Sequence, residues 1–302
     1  MPRKSYIDIA KGIAMLLVIM QHTGGGVSAI ATLCKVDVPL FFLCSGLLAY
    51  KPEIIYGTQL RKITLRILVP FFAACLFASL FYNENPLHIF TSIGKHGYWF
   101  LEALYLILIV FYCQHKLFRH SYPLLICSSI GTEVCFLLLS KYGPEFIDNI
   151  AGFSYIARYY PCFIAGCVIT RNHIDTTSKL LSSILLIVAL TAFLIPSSGN
   201  INFLLNVFGY LLGAIYIYFL IKKMHAGLPK YISVPLIKIG QYSLDIYVIH
   251  FFIVKYYTHI SDNPLLTFIA VICLALIISG FCILVSKIIS RTTIFGIFLN
   301  RK

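Results

Sequence analysis

The sequence predicts an all-α fold: a polytopic membrane helical bundle of about ten transmembrane helices, with the N- and C-termini cytoplasmic. Of its 302 residues 59% are hydrophobic and only 12% are charged, whereas a soluble domain carries about a quarter charged residues. Apolar runs long enough to span a bilayer recur from end to end. No polar stretch between them is long enough for a separate soluble domain. We therefore expect one integral-membrane domain over residues 1–302, located in the inner (plasma) membrane.

Ten spans are predicted from these runs, and the distribution of basic residues supports the even number. With the N-terminus inside, 19 of the 24 Lys and Arg residues fall in cytoplasmic segments, as the positive-inside rule requires. The net charge of +13 is therefore explained by membrane orientation, and we expect no nucleic-acid partner. The predicted spans are 12–30, 36–50, 63–81, 98–113, 122–139, 153–170, 180–196, 202–221, 241–257 and 264–286.

The ten cysteines lie mostly within predicted spans, and no two of them form a CxxC pair. Cysteine in this setting is a small, soft packing residue. We expect no disulfide framework, no metal site and no permanently bound cofactor.

The stretch VIMQHTGGG, residues 18–26, places a histidine inside the first predicted span. His22 follows Lys11 by eleven residues, which on an α-helix returns to within about 20° of the same face and rises about 16 Å. One face thus presents a cation near the cytoplasmic boundary and a proton acceptor at depth. This arrangement suits an extended anionic ligand that enters from the cytoplasm. The alternatives are a neutral histidine packed against a neighbouring helix and a lysine that only marks the inner side.

Three consecutive glycines, Gly24 to Gly26, follow the histidine. Glycine permits close helix packing in membranes, but three together also allow the helix to unwind or a ligand to approach the backbone. We predict an opening beside His22.

Other ionisable residues within or next to the spans are functional candidates because charge at membrane depth is costly. Arg61, Lys62 and Arg66 lie at the start of the third span and suit a phosphate, since guanidinium groups match its geometry. Ordinary inside-positive flanking explains them equally well. For Glu133 and Asp245 we favour charge pairing that stabilises the bundle.

Five segments together resemble the integral-membrane acyltransferase family 3, in order and spacing and over nearly the whole chain. The family pattern of a basic residue, ten intervening residues and a histidine is matched by Lys11 and His22, with lysine in place of the usual arginine. At the third span Arg66 is kept, whereas the position three residues before it is Ile63. The five segments are YIDIAKGIAMLLVIMQH, VPLFFLCSGLLAY, LRILVPFF, HGYWFLEALYLIL and IGQYSLDIYVIHFF.

The resemblance implies a membrane O-acyltransferase that moves an acyl group, often acetyl, from cytoplasmic acyl-CoA (acetyl-CoA) to a carbohydrate or lipid-linked glycan acceptor. It implies His22 and Lys11 as catalytic residues, with His22 as general base; a covalent acyl-histidine remains open. Expected partners are acyl-CoA, the glycan acceptor and membrane lipid. The donor-binding candidates are Lys11, Arg66, Arg61 and Lys62; the acceptor-binding candidates are Glu102, Trp99, Ser45 and Arg158.

Two other functional classes are compatible with the same residues. A glycan or lipid-linked sugar transporter (flippase) also places polar residues at the membrane midplane and interrupts its helices with glycine. A membrane scaffold without chemistry requires none of Lys11, His22 and Arg66.

Overall fold

The computed structural model describes residues 4–23, 28–175, 178, 183–184, 186–188, 200–254 and 263–290. In these ranges all of the regular secondary structure is helical. The helices of the N-terminal half are α1 (Ser5–Thr23), α2 (Ser28–Cys34), α3 (Asp37–Ala49), α4 (Tyr56–Ile63), a π-helical segment (Thr64–Leu68), α5 (Val69–Tyr82), α6 (His88–Thr91), a 3₁₀ turn (Lys95–Gly97), α7 (Trp99–Phe118) and α8 (Tyr122–Tyr142). Those that follow are α9 (Glu145–Ala151), α10 (Phe153–Arg171), α11 (Asn200–Met224), a 3₁₀ turn (His225–Gly227), α12 (Lys230–Gln241), α13 (Ser243–Val254) and α14 (Pro264–Ile289).

Within these described ranges, six helical stretches are long and apolar enough to cross a membrane. Helices α12 and α13 form a further candidate, bent by 83° at Tyr242, which brings the number to seven if the bent pair is a single span. Several membrane-spanning helices confirm the all-α, multi-pass character of the chain. The six stretches are Ile30–Ala49, Tyr56–Tyr82, Trp99–Phe118, Tyr122–Tyr142, Phe203–Gly227 and Leu265–Ile289.

The count of about ten spans and the cytoplasmic termini stay predictions. Helix α1 overlaps the predicted span 12–30 in part, and α10 coincides with the predicted span 153–170, but neither is among the six stretches. The predicted span 180–196 falls mostly outside the described residues.

Two compact units divide the chain. The first comprises Met1–Tyr50 and Ala165–Ile288, and the second comprises Lys51–Ile164 and Ile289–Lys302. Helix α10 contributes its N-terminal part to the second unit and its last turns to the first. The prediction of one domain stays a prediction.

The first unit is organised around α1 and its close approach to α12. A Cβ atom on Gly12 would overlap the carbonyl oxygen of Leu236, and one on Gly240 would overlap that of Asp8. Two glycines that face each other's helix backbone let the helices pack at a distance no larger residue permits. Helix α1 begins at Ser5, seven residues before the predicted start of the first span.

Helix α12 lies almost entirely in the connection that the sequence leaves between the predicted spans 202–221 and 241–257. It is a regular helix in which Pro235 is internal, and Tyr242 separates it from α13. The sequence did not indicate this helix because α12 is short and carries Lys230, Lys238 and a proline, all of which reduce the apolar signal.

A π-helical segment over Thr64–Leu68 interrupts the long helix at the start of the second unit. Pro70 has no N–H to donate to the carbonyl of Arg66, so the regular α-helical bond is absent there. The Thr64 hydroxyl donates to the carbonyl of Leu60 at 2.9 Å and lies 3.1 Å from the hydroxyl of Tyr105 on α7. The segment therefore has a defined partner and presents Arg66 from an irregular turn.

Lys95 anchors the connection between α5 and α7. Its side chain is fully buried, and its ammonium donates to the carbonyls of Ile89 at 2.6 Å, Ile150 at 3.1 Å and Asn149. Burial lowers the pKa of Lys95 from its usual value, an effect that the nearby Glu102 carboxylate opposes. One buried cation thus joins this connection to the end of α9.

Candidate functional site

His22 lies in the last turn of α1 and contacts two aromatic side chains of α13. Its ring centroid is 5.0 Å from that of Phe251 and 5.7 Å from that of His250. The His22 side chain is exposed, so its ring is accessible while one side of it is packed. The adjacent Gly24 to Gly26, where we predicted an opening, lie outside the described residues.

His250 is fully buried, and its hydrogen bonds define its tautomer. Its Nδ1 lies 2.8 Å from the carbonyl oxygen of Tyr247 and 3.1 Å from that of Ile246. Carbonyls only accept, so Nδ1 carries the proton and Nε2 keeps its lone pair. Nε2 is buried and has no hydrogen-bond partner in the described part of the chain. An orphaned buried acceptor costs about 1–3 kcal/mol, which makes Nε2 a group that is available to a ligand or a water.

Lys11 lies on α1 with His22, and no break in the helix separates them. Its ammonium is 3.8 Å from the carboxylate of Asp8, one turn earlier on the same helix, and both side chains are largely buried. The lysine is therefore held at a defined position by a neighbouring carboxylate. Asp8 itself is fixed where α12 crosses α1, since Gly240 packs on its carbonyl.

Ser45 lies on α3 in the same unit as His22 and Lys11, and it is half-buried. Its hydroxyl donates to the carbonyl of Phe41 at 2.8 Å. A hydroxyl bound in this way still has lone pairs with which it accepts from a ligand.

The basic residues Arg61, Lys62 and Arg66 belong to the second unit. All three side chains are exposed. Arg61 and Lys62 lie in the last turn of α4, and Arg66 lies in the π-helical segment. Three cations within six residues of one helical stretch form a concentrated positive surface.

Trp99 begins α7 and stacks on two tyrosines of α10. Its ring lies 4.0 Å from that of Tyr155 and 5.6 Å from that of Tyr159, with interplanar angles of 16° and 19°. Glu102, one turn further along α7, lies 3.6 Å from the Lys95 ammonium. Arg158 is half-buried on α10. The predicted acceptor-binding residues of the second unit thus include a stacked aromatic group and a paired carboxylate.

The predicted site residues fall into two groups, one in each compact unit. Lys11, His22 and Ser45 belong to the first unit. Arg61, Lys62, Arg66, Trp99, Glu102 and Arg158 belong to the second. The roles of all nine residues stay predictions.

Of the two carboxylates that we expected to pair with charges, Asp245 accepts a hydrogen bond from a hydroxyl. The Ser286 Oγ donates to its Oδ2 at 2.6 Å, and both residues are buried. Glu133 has one buried carboxylate oxygen without a hydrogen-bond partner among the described residues.

His250 lies in the predicted span 241–257 but is not among the predicted site residues. The signal was present in IGQYSLDIYVIHFF, where a histidine follows an aspartate within one apolar helix. The contact between His250 and His22 could not be predicted from the sequence, because the two residues are 228 positions apart in the chain.

Several helices that are long and apolar enough to cross a membrane define a multi-pass membrane protein. Residues 4–286 match the acyltransferase domain of family 3. The match covers almost the whole sequence, so the chain belongs to acyltransferase family 3 and is a membrane O-acyltransferase. Neither the curated proteins nor the solved structures contain a match to it.

Proposed function

We propose that this protein moves an acetyl group from cytoplasmic acetyl-CoA to a hydroxyl of a cell-surface glycan or its lipid-linked precursor, with His22 as the general base. The observation that carries the proposal is the position of His22 within a member of an acyltransferase family. Its ring is accessible and lies against a buried histidine whose lone pair is unused.

The reaction needs one proton to be moved twice. The His22 imidazole removes the proton of the acceptor hydroxyl while the oxygen attacks the thioester carbonyl. The carbon–sulfur bond then breaks, the ester forms, and the imidazolium returns the proton to the leaving thiolate of CoA. An imidazole is suited to both steps because the neutral ring accepts a proton and the imidazolium donates it.

His250 supports this cycle as a fixed acceptor beside His22. Its Nδ1–H is held by the backbone of its own helix, so the ring cannot change tautomer without losing that bond. The bare Nε2 accepts a hydrogen bond from a water next to His22, and that water donates its second proton to the oxygen of the incoming hydroxyl. His250 thereby positions the oxygen, and the hydroxyl proton stays free for His22 to remove.

The basic residues supply the binding energy for the donor. Arg66, with Arg61 and Lys62, suits the phosphates of CoA because arginine forms bidentate bonds to phosphate oxygens. Lys11 adds a cation on the helix that carries His22. Trp99, Glu102, Ser45 and Arg158 are the proposed acceptor contacts, with Trp99 offering an aromatic surface and Glu102 a carboxylate for sugar hydroxyls.

An isotope experiment tests the proposed reaction. Inverted membrane vesicles that contain the protein receive acetyl-CoA labelled in the acetyl group, and the glycan fraction is analysed by mass spectrometry after lipid extraction. We expect label on the glycan as an alkali-labile ester, with vesicles lacking the protein as the control. Glycan that stays unlabelled while the donor remains intact would contradict the proposal.

A transporter is the second candidate, and the 83° bend between α12 and α13 is the observation that favours it. Interrupted helices commonly form substrate sites in transporters. The same vesicles distinguish the two functions, since transport delivers unmodified glycan to the opposite side of the membrane without consuming acetyl-CoA.

A further inference from the structure

Three metal-ligating side chains meet in the connection between α5 and α7, in the second unit and apart from the residues discussed above. Glu84 follows the end of α5, His88 begins α6, and His96 lies in the 3₁₀ turn. The Glu84 Oε2 is 2.9 Å from the Nδ1 of His96 and 3.9 Å from the Nδ1 of His88. One ligand atom from each residue lies within 4.8 Å of the other two.

A second contact defines the protonation of His96. The hydroxyl of Ser79 donates its single proton to the carbonyl of Cys75 at 2.9 Å. The same hydroxyl oxygen lies 3.2 Å from the Nε2 of His96, so Nε2 must be the donor in that bond. The Ser79 side chain is buried, and its bond to Cys75 is the usual one from a serine to the preceding helical turn. Nε2 of His96 therefore carries a proton.

The Nδ1 of His96 then faces a carboxylate oxygen at 2.9 Å. If Nδ1 were bare, two lone pairs would meet at hydrogen-bond distance, so a positive species must lie between or beside them. A proton satisfies only this pair, whereas a metal ion also uses a lone pair of His88, whose Nδ1 lies 3.9 Å from the same carboxylate oxygen. A histidine whose second ring nitrogen is held by a hydrogen bond is the usual form of a histidine ligand.

We propose that Glu84, His88 and His96 bind a divalent ion of the zinc class, with Ser79 as the group that orients His96. Imidazole and carboxylate are ligands that Zn²⁺ accepts at about 2.0–2.2 Å, which separates the donor atoms of a tetrahedral site by about 3.4 Å. The distances of 2.9 and 3.9 Å lie on either side of that value. Three protein ligands leave a fourth position for water. Binding releases the proton that Nδ1 and the carboxylate share in the metal-free protein.

The surroundings suit a metal that orders this connection. His96 is well buried, while Glu84 and His88 are partly exposed, so the ion has a fixed ligand and an entry path. The preceding residue, Lys95, is tied to the carbonyls of Asn149 and Ile150. A metal bound to residues 84, 88 and 96 would join the end of α5 to a turn that the lysine already holds. The inference does not depend on the proposed acyl transfer.

The test uses the purified full chain in detergent, without a polyhistidine tag and after treatment with chelator. Co²⁺ is the probe, because its visible absorption reports a tetrahedral site, and Zn²⁺ is the competitor. We expect one Co²⁺ per chain, displaced by one Zn²⁺, with about one proton released when calorimetry is repeated in buffers of different ionisation enthalpy. The absence of a stoichiometric spectrum would overturn the proposal.

Variants assign the ion to these residues. His88→Ala, at a partly exposed position where folding is not at risk, and His96→Ala should each abolish the Co²⁺ spectrum. Ser79→Ala should weaken Co²⁺ affinity by about 10-fold, as removal of such a supporting hydrogen bond typically does. His120→Ala, a change at an exposed histidine elsewhere in the same unit, should bind as the wild type does. Equal Co²⁺ binding by the wild type, His88→Ala and His96→Ala would place the ion elsewhere and refute the site.

Discussion

At the scale of single residues, the chemistry of the proposed active site depends on how His250 is held beside His22. The Nδ1–H of His250 donates to the backbone carbonyl of Tyr247, which leaves Nε2 as a buried acceptor. The centroids of the His250 and His22 rings are 5.7 Å apart. Burial of an unused lone pair has a cost that packing alone does not justify. We interpret the pair as one unit, with His22 as the group that moves the proton.

The variant His250→Asn tests this division of roles. An asparagine amide reproduces the Nδ1–H donor to the Tyr247 carbonyl but has nothing at the position of Nε2. We expect kcat for acyl transfer to fall by about 10- to 100-fold, with KM for acetyl-CoA unchanged, because His250 orients the hydroxyl and not the donor. Steady-state kinetics in reconstituted vesicles provide both constants.

His250→Gln is the matched comparison, since its longer amide reaches toward the Nε2 position and should retain more activity than the asparagine variant. Equal loss in both variants, accompanied by a lower melting temperature, would mean that His250 acts only through packing.

At the scale of helices, the close crossing of α1 and α12 determines where Lys11 and Asp8 lie. Gly12 and Gly240 are in contact with backbone of the opposite helix. The variant Gly240→Ala should lower the free energy of unfolding by about 1–3 kcal/mol, the usual range for overpacking. It should also reduce acyl transfer, because Asp8 moves together with its carbonyl. Thermal unfolding in detergent and the transfer assay measure the two effects.

The control for that prediction is Gly131→Ala on α8, where a Cβ atom meets nothing within 4 Å. Replacing an exposed helical glycine by alanine should leave stability unchanged or raise it by about 0.5–1 kcal/mol. If Gly240→Ala were as stable as Gly131→Ala, the close crossing would be incorrect.

Most individual helices were predictable because each is a long apolar run, as α7, α8 and α14 illustrate. Some of the features that sequence did not reveal arise from long-range contacts. Helix α12 is stabilised by packing on α1, its own apolar signal being weak. The approach of His22 to His250 likewise depends on how separate segments fold together. Glu84, His88 and His96 meet within one connection, through local turns that the residue pattern did not indicate.

At the scale of the whole molecule, the charge distribution predicts the orientation in the membrane. By the positive-inside rule we expect the connection between α7 and α8 in the cytoplasm and the one between α8 and α9 outside. We expect Glu145→Cys to react with a membrane-impermeant thiol reagent in intact cells, and Arg119→Cys to react only after permeabilisation. The chain with its native cysteines gives the background labelling. The reverse pattern would show that the protein is inserted in the opposite orientation.

The central claim is that His22 carries the proton in acyl transfer, and His22→Ala in reconstituted vesicles tests it most directly. The rate of label transfer from acetyl-CoA should fall by about a hundredfold or more, the contribution typical of a general base. Membrane insertion and melting temperature should match those of the wild type, and His120→Ala should transfer at the wild-type rate. A His22→Ala protein that transfers acetyl groups as fast as the wild type would contradict the account.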